Sequence, residues 1–138
     1  MGAALTMMEA GAVGNAPFRG ENRFDGYIAI SPQGTGWAFS THNAWDDVNK
    51  PILMITGTED SGYYSYYQTR LEAWEGLPSY KKRLVIISRA THFSLGGRGR
   101  PLTHKRAELA ISEFLLHMQS SWDKSTLYNQ RGIVVKEK

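Results

Sequence analysis

Three short apolar runs constrain this chain more than any other feature. They are Tyr27-Ile28-Ala29-Ile30, Pro51-Ile52-Leu53-Met54-Ile55 and Leu84-Val85-Ile86-Ile87. Each is continuous rather than alternating, and β-branched residues are frequent in them. A strand with one wet face alternates apolar and polar residues, whereas a strand covered on both faces does not. The runs therefore predict buried strands of a parallel sheet. Each is closed by small polar residues: Ser31-Pro32, Thr56-Gly57 and Ser88-Arg89.

Helical patterns fill much of the remaining sequence. Met1, Ala4, Leu5, Met8 and Ala12 fall on one stripe, and Tyr67, Leu71 and Trp74 on another, closed by Gly76 and Pro78. Ala107, Ala110, Ile111, Phe114, Leu115 and Met118 form the clearest stripe, with Thr103 as a candidate cap after Pro101. Strand and helix alternate, which argues an α/β architecture of about three parallel strands flanked by helices and joined by right-handed crossovers. The segment from Gln33 to Lys50 has no steady period and reads as a loop or lid-like excursion. Residues 1–122 are taken as the domain. Residues 123–138 form a tail in which Ile133-Val134-Val135 is either an edge strand or a frayed end.

Composition narrows the chemistry. The chain has 138 residues, enough for one domain, and no cysteine, which excludes disulfides, thiolate metal sites and a cysteine nucleophile. No apolar run approaches the roughly 18 residues of a membrane-spanning helix. Met1–Val13 lacks a basic leading segment and contains Glu9, so no targeting segment is read there. No His-Glu-x-x-His pattern occurs, and the reading calls for no metal and no cofactor. His42, His104 and His117 read as ordinary polar or helix-surface residues.

In open α/β sheets, ligands bind beyond the carboxyl ends of the strands. Three loops lie there: Ser31-Pro32-Gln33-Gly34, Gly57-Thr58-Glu59-Asp60-Ser61-Gly62 and Ala90-Thr91-His92-Phe93. An acid and a histidine thus leave neighbouring strands at one edge. A carboxylate bonded to one imidazole nitrogen fixes the tautomer and leaves the other nitrogen as a general base. Glu59 is the second acid in reach, but adjacent residues point apart. Trp37, Phe39, Trp45, Tyr63 and Tyr64 flank the same edge and suit an apolar or aromatic acyl group, core packing being the competing reading.

These segments resemble parts of the α/β-hydrolase family, of the esterase and dienelactone-hydrolase kind. Pro51-Ile-Leu-Met-Ile-Thr-Gly-Thr-Glu-Asp60 is similar to the penultimate strand with the loop that carries the catalytic acid. Arg89-Ala-Thr-His92-Phe-Ser is similar to the loop that carries the catalytic histidine, and Phe24-Asp-Gly-Tyr-Ile-Ala-Ile-Ser-Pro32 to the strand after the nucleophile helix. The family's chain order of serine, acid and histidine agrees with Asp60 preceding His92. The resemblance covers roughly residues 1–118 and implies Asp60 as triad acid, His92 as triad base and a small-molecule ester as substrate. The family's Gly-x-Ser-x-Gly elbow does not occur in the sequence. Met1-Gly2-Ala3-Ala4-Leu5 is similar to the end of such an elbow, which implies Met1 as the oxyanion donor that follows the serine. The expectation is the C-terminal part of a serine hydrolase, inactive alone, whose first strand exposes an edge open to self-association. A degenerate relative retained for interaction is the alternative.

A reading from another class rests on charge. Lys81, Lys82, Arg83, Arg89, Arg98, Arg100, Lys105 and Arg106 occur with no intervening acid, in a chain of net charge +3. Such a stretch is either a solvated basic edge or a polyanion-binding module. Aromatics are not interleaved with it, which argues against nucleic acid. Within it, Gly96-Gly97-Arg98-Gly99-Arg100 lacks the strand-to-helix pattern of a phosphate-binding loop and reads as a flexible loop.

Overall fold

The structure, a computed structural model, describes residues 1–62 and 66–138. Helix α1 (Gly2–Glu9) precedes strand β1 (Tyr27–Ile30). Then come β2 (Ile52–Glu59), α2 (Tyr67–Gly76), β3 (Lys82–Thr91), the single turn α3 (His92–Leu95) and α4 (Pro101–Gln119). A 3-10 turn (Thr126–Asn129) leads into β4 (Ile133–Glu137). The sheet order is β1-β2-β3-β4. The pairs β1–β2 and β2–β3 are parallel, and β3–β4 is antiparallel. The chain is therefore a mixed α/β fold with a mostly parallel four-stranded sheet.

The continuous runs are explained by two cores, one on each face. Successive residues of a strand point to opposite sides. Tyr27, Ala29, Ile52, Met54, Leu84 and Ile86 face α1, α2 and the packed pair Phe39–Trp45. Leu53, Ile55, Val85 and Ile87 face α4, Leu127 and the inward side of β4. Each of the isoleucine, leucine, methionine and valine side chains among them contributes about 1.5–3 kcal/mol on burial. Both parities must then be apolar, as they are.

The helices sit close to their expected stripes, with local rotations. On α1 the buried residues are Ala4, Met7 and Met8, while Leu5 and Met1 are exposed. On α4 Ala110 and Phe114 are buried and Leu115 is exposed. Arg100, in the left-handed region, occupies the cap position of α4; Thr103 is buried in its first turn. Of the two readings of residues 123–138, the structure shows the edge strand. It is a fourth strand beyond the three expected, running antiparallel because a connection through residues 120–132 returns it alongside β3. Among the described residues, no helix is long and apolar enough to cross a membrane.

Part of the basic stretch is internal. Lys82 and Arg83 are fully buried at the start of β3, so they form neither a solvated edge nor a polyanion contact. Arg83 reaches Glu113 at 3.1 Å and Glu137 at 2.6 Å, stacks 4.9 Å over Trp122 and lies 3.0 Å from His117 Nδ1. Burial alone would push the Glu113 carboxyl up, but hydrogen bonds from Ser125 and Thr126 and the Arg83 charge hold it below its usual range. Lys82 donates to the carbonyls of Lys50 and Tyr80 at 2.9 and 2.8 Å. Burial, with the nearby Lys138 charge, pushes its ammonium down to about 8.

Candidate active site at the carboxyl edge of the sheet

Strand β2 ends in a turn whose geometry fixes an acid. Gly57 lies where a Cβ would collide with the Ala90 carbonyl, so only glycine allows β2 and β3 to approach this closely. The pairing register shifts between Gly57 and Glu59, which turns the strand end out of the ladder. The amide of Asp60 then donates to the Gly57 carbonyl at 3.0 Å. The Asp60 side chain is fully buried.

Strand β3 ends beside it. Thr91 and Ser94 form a reciprocal capping box around α3, with Ser94 N donating to Thr91 Oγ1 and Thr91 N to Ser94 Oγ. This cap fixes His92 as the first residue of the turn. His92 Nδ1 lies 3.1 Å from Asp60 Oδ1, across two adjacent parallel strand ends. The two residues singled out in the sequence are thus in contact.

The carboxylate is held by two further groups that sequence patterns did not single out. Thr56 Oγ1 donates to Asp60 Oδ2 at 2.9 Å. Arg70, buried on α2, places Nη2 3.6 Å from Asp60 Oδ1, and it donates through Nε to the Asp60 carbonyl and through Nη1 to the Pro32 carbonyl. A buried carboxylate is costly unless its charge is matched and its lone pairs are filled. Thr56, Arg70 and His92 do this together. The one available signal for Arg70 was an arginine between the apolar positions Tyr67, Leu71 and Trp74, on the side of the helix that packs inward.

The histidine is half exposed, at 50% of its side chain. A neutral ring that donates Nδ1–H to Asp60 keeps its lone pair on Nε2, and no side chain among the described residues hydrogen-bonds Nε2. Such a pair can take a proton from a hydroxyl or water and stabilise the resulting imidazolium. Ser31, at the carboxyl end of β1, makes no hydrogen bond with His92 among the described residues. Its backbone is left-handed at φ 55°, and its Oγ is buried without a hydrogen-bond partner among the described residues.

The aromatic residues divide. Trp37 is 72% exposed and lines a cavity of about 480 Å³ formed by residues 33–38 with Thr69 and Arg70. Arg70 connects this cavity to Asp60. Phe39 and Trp45 are fully buried and pack with ring centroids 5.0 Å apart, so the substrate-wall reading fails for Phe39: it belongs to the core. Tyr63 and Tyr64 lie outside the described residues. Met1 caps α1, with its carbonyl accepting from the amides of Ala4 and Leu5, and its side chain is exposed. Among the described residues, nothing joins it to the Asp60–His92 pair. Glu59 does not approach His92 but binds Arg100 at 3.1 Å.

The chain matches no protein-family model and no curated protein.

Proposed function

We propose that the chain carries the acid–base pair of a serine hydrolase of the α/β-hydrolase type, acting on a carboxylic ester or related acyl bond. The observation that carries the proposal is the 3.1 Å contact between buried Asp60 and half-exposed His92. In this reading His92 takes the proton of the attacking hydroxyl and later returns it to the leaving alcohol. Asp60 orients the ring and stabilises its cation, and Arg70 and Thr56 hold Asp60 in place. Trp37 borders the cavity that receives the apolar part of the substrate.

The seryl nucleophile belongs to sequence other than these 138 residues, which contain no Gly-x-Ser-x-Gly elbow. Loss of the serine from a triad enzyme lowers turnover by about 10⁶-fold. The purified chain is therefore expected to hydrolyse p-nitrophenyl acetate no faster than buffer. Turnover that disappears in His92→Ala would overturn the absence of a nucleophile. The hydrolase reading itself is tested on the coding sequence upstream of the Met1 codon. An in-frame Gly-x-Ser after an apolar strand, in a polypeptide whose esterase activity is lost in both Asp60→Asn and His92→Ala, supports it. A stop codon there overturns it in favour of a degenerate relative.

A further inference from the structure

The second feature that bears on function is a concentration of arginines on the far side of Glu59. A cavity of about 450 Å³ is lined by Arg89, Arg100, Arg106 and Arg131, together with Ser88 and Gly132. Three of these arginines come from the basic stretch; Arg131 comes from the connection into β4, far away in sequence. The β3–β4 pairing brings them together: Ser88 N donates to the Gly132 carbonyl at 2.8 Å, which sets the connection beside the end of β3. Arg106 then crosses from α4 and donates to the Arg131 carbonyl at 2.8 Å. Gly132, at φ 79°, leaves the space that the Arg106 guanidinium fills, since a Cβ there would overlap it.

The charge around this cavity is poorly matched. No carboxylate is among its lining residues. Glu59 reaches Arg100 at 3.1 Å and Arg89 at 3.9 Å, and both arginines are substantially exposed. Glu59 thus meets two of the four arginines, and no ion pair to Arg106 or Arg131 occurs among the described residues. Two of those arginines, Arg89 and Arg100, have left-handed backbones at φ 61° and 49°. Non-glycine residues adopt that conformation at a cost of about 1–2 kcal/mol each. Guanidinium groups carried on several segments of the chain can match the oxygens of a tetrahedral dianion, which a planar carboxylate does not offer. The volume lies within the range of small-molecule sites and exceeds what a bare phosphate fills.

We propose that this cavity binds the phosphate group of a small phosphorylated molecule, with Arg106 and Arg131 as its main anchors and Glu59 as an internal competitor for Arg89 and Arg100. The site is independent of the esterase reading, because it uses neither Asp60 nor His92.

The test is titration of the full chain with inorganic phosphate and with pyrophosphate at constant ionic strength, followed by NMR at the arginine Nε–H groups and the Gly132 amide. Saturable shifts are expected at Arg106, Arg131 and Gly132. Arg131→Gln, at an exposed position, is expected to weaken binding about tenfold, the loss of one charge-assisted contact. Glu59→Gln is expected to tighten it several-fold. Lys136→Gln, which removes the same charge from β4 outside the cavity lining, is expected to leave affinity within about twofold. Shifts that chloride reproduces, or equal effects of Arg131→Gln and Lys136→Gln, overturn the site. Heparin binding that phosphate does not displace and Arg131→Gln does not weaken also overturns it, in favour of a diffuse basic surface.

Discussion

His92 is half exposed while Asp60 is fully buried, and in the proposed hydrolase this inequality divides their roles. The exposed ring can meet a hydroxyl; the buried carboxylate can only orient and stabilise. Lys82 shows the cost of burying a charge without a carboxylate partner. Two carbonyls accept from its ammonium, but burial and the Lys138 charge still push it down to about 8 from an ordinary 10.5. Below about 8 the lysine is charged in both the folded and the unfolded chain, and its burial subtracts from stability. Between 8 and 10.5 the unfolded chain binds more protons than the folded one, so stability rises with pH. Lys138, shifted the same way by burial, adds to the effect. Tyr27 and Tyr128, both pushed above their usual value by burial, oppose it only at higher pH. The urea-unfolding free energy is therefore expected to rise by about 1–2 kcal/mol between pH 7.5 and 9.5. Lys82→Met should flatten the profile; a wild-type profile that falls over this window would count against the assignment.

At the scale of elements, β4 and the turn before it are fastened by charge as well as by apolar burial. Arg83 on β3 ties Glu113 of α4 to Glu137 of β4, and Glu113 accepts from Ser125 and Thr126. Three elements share one buried guanidinium. Removing it leaves two carboxylates facing each other in a poorly solvated space, and breaking a buried ion pair typically costs about 3–5 kcal/mol. Arg83→Met is expected to lower the unfolding free energy by about 3 kcal/mol, measured in urea. Adding Glu137→Gln should recover part of that loss. A cost below about 1 kcal/mol for the single variant would mean that Leu127, Ile133 and Val135 hold the strand without the ion pairs.

At the scale of the molecule, β1 and β4 are the two edges of the sheet. Tyr27 and Ser31 donate to the carbonyls of Pro51 and Ile55, so by the two-residue period Ile28 and Ile30 turn their amides away from β2. Among the described residues, β1 pairs only with β2. An unpaired edge of this kind is a template for another strand. The purified chain is expected to associate, with a sedimentation coefficient that rises with concentration. Ile30→Pro, which removes an outward amide and no bond to β2, should shift it toward monomer. A wild-type chain that sediments as a monomer over a hundredfold range of concentration would rule the edge out. The sequence by itself determined the parallel sheet, because strands covered on both faces must be apolar at both parities. It also determined that Asp60 and His92 leave adjacent strand ends, because β2 and β3 carry them at equivalent places. The tertiary structure decided what single elements cannot encode. Arg70 faces Asp60 because α2 packs on that side of the sheet. Phe39 is core and Trp37 is surface, although two residues apart in an aperiodic loop. Arg131 meets Arg89, Arg100 and Arg106 only because β4 turns back beside β3. Periodicity specifies which face of an element is buried; which charges meet across elements depends on how those faces are brought together.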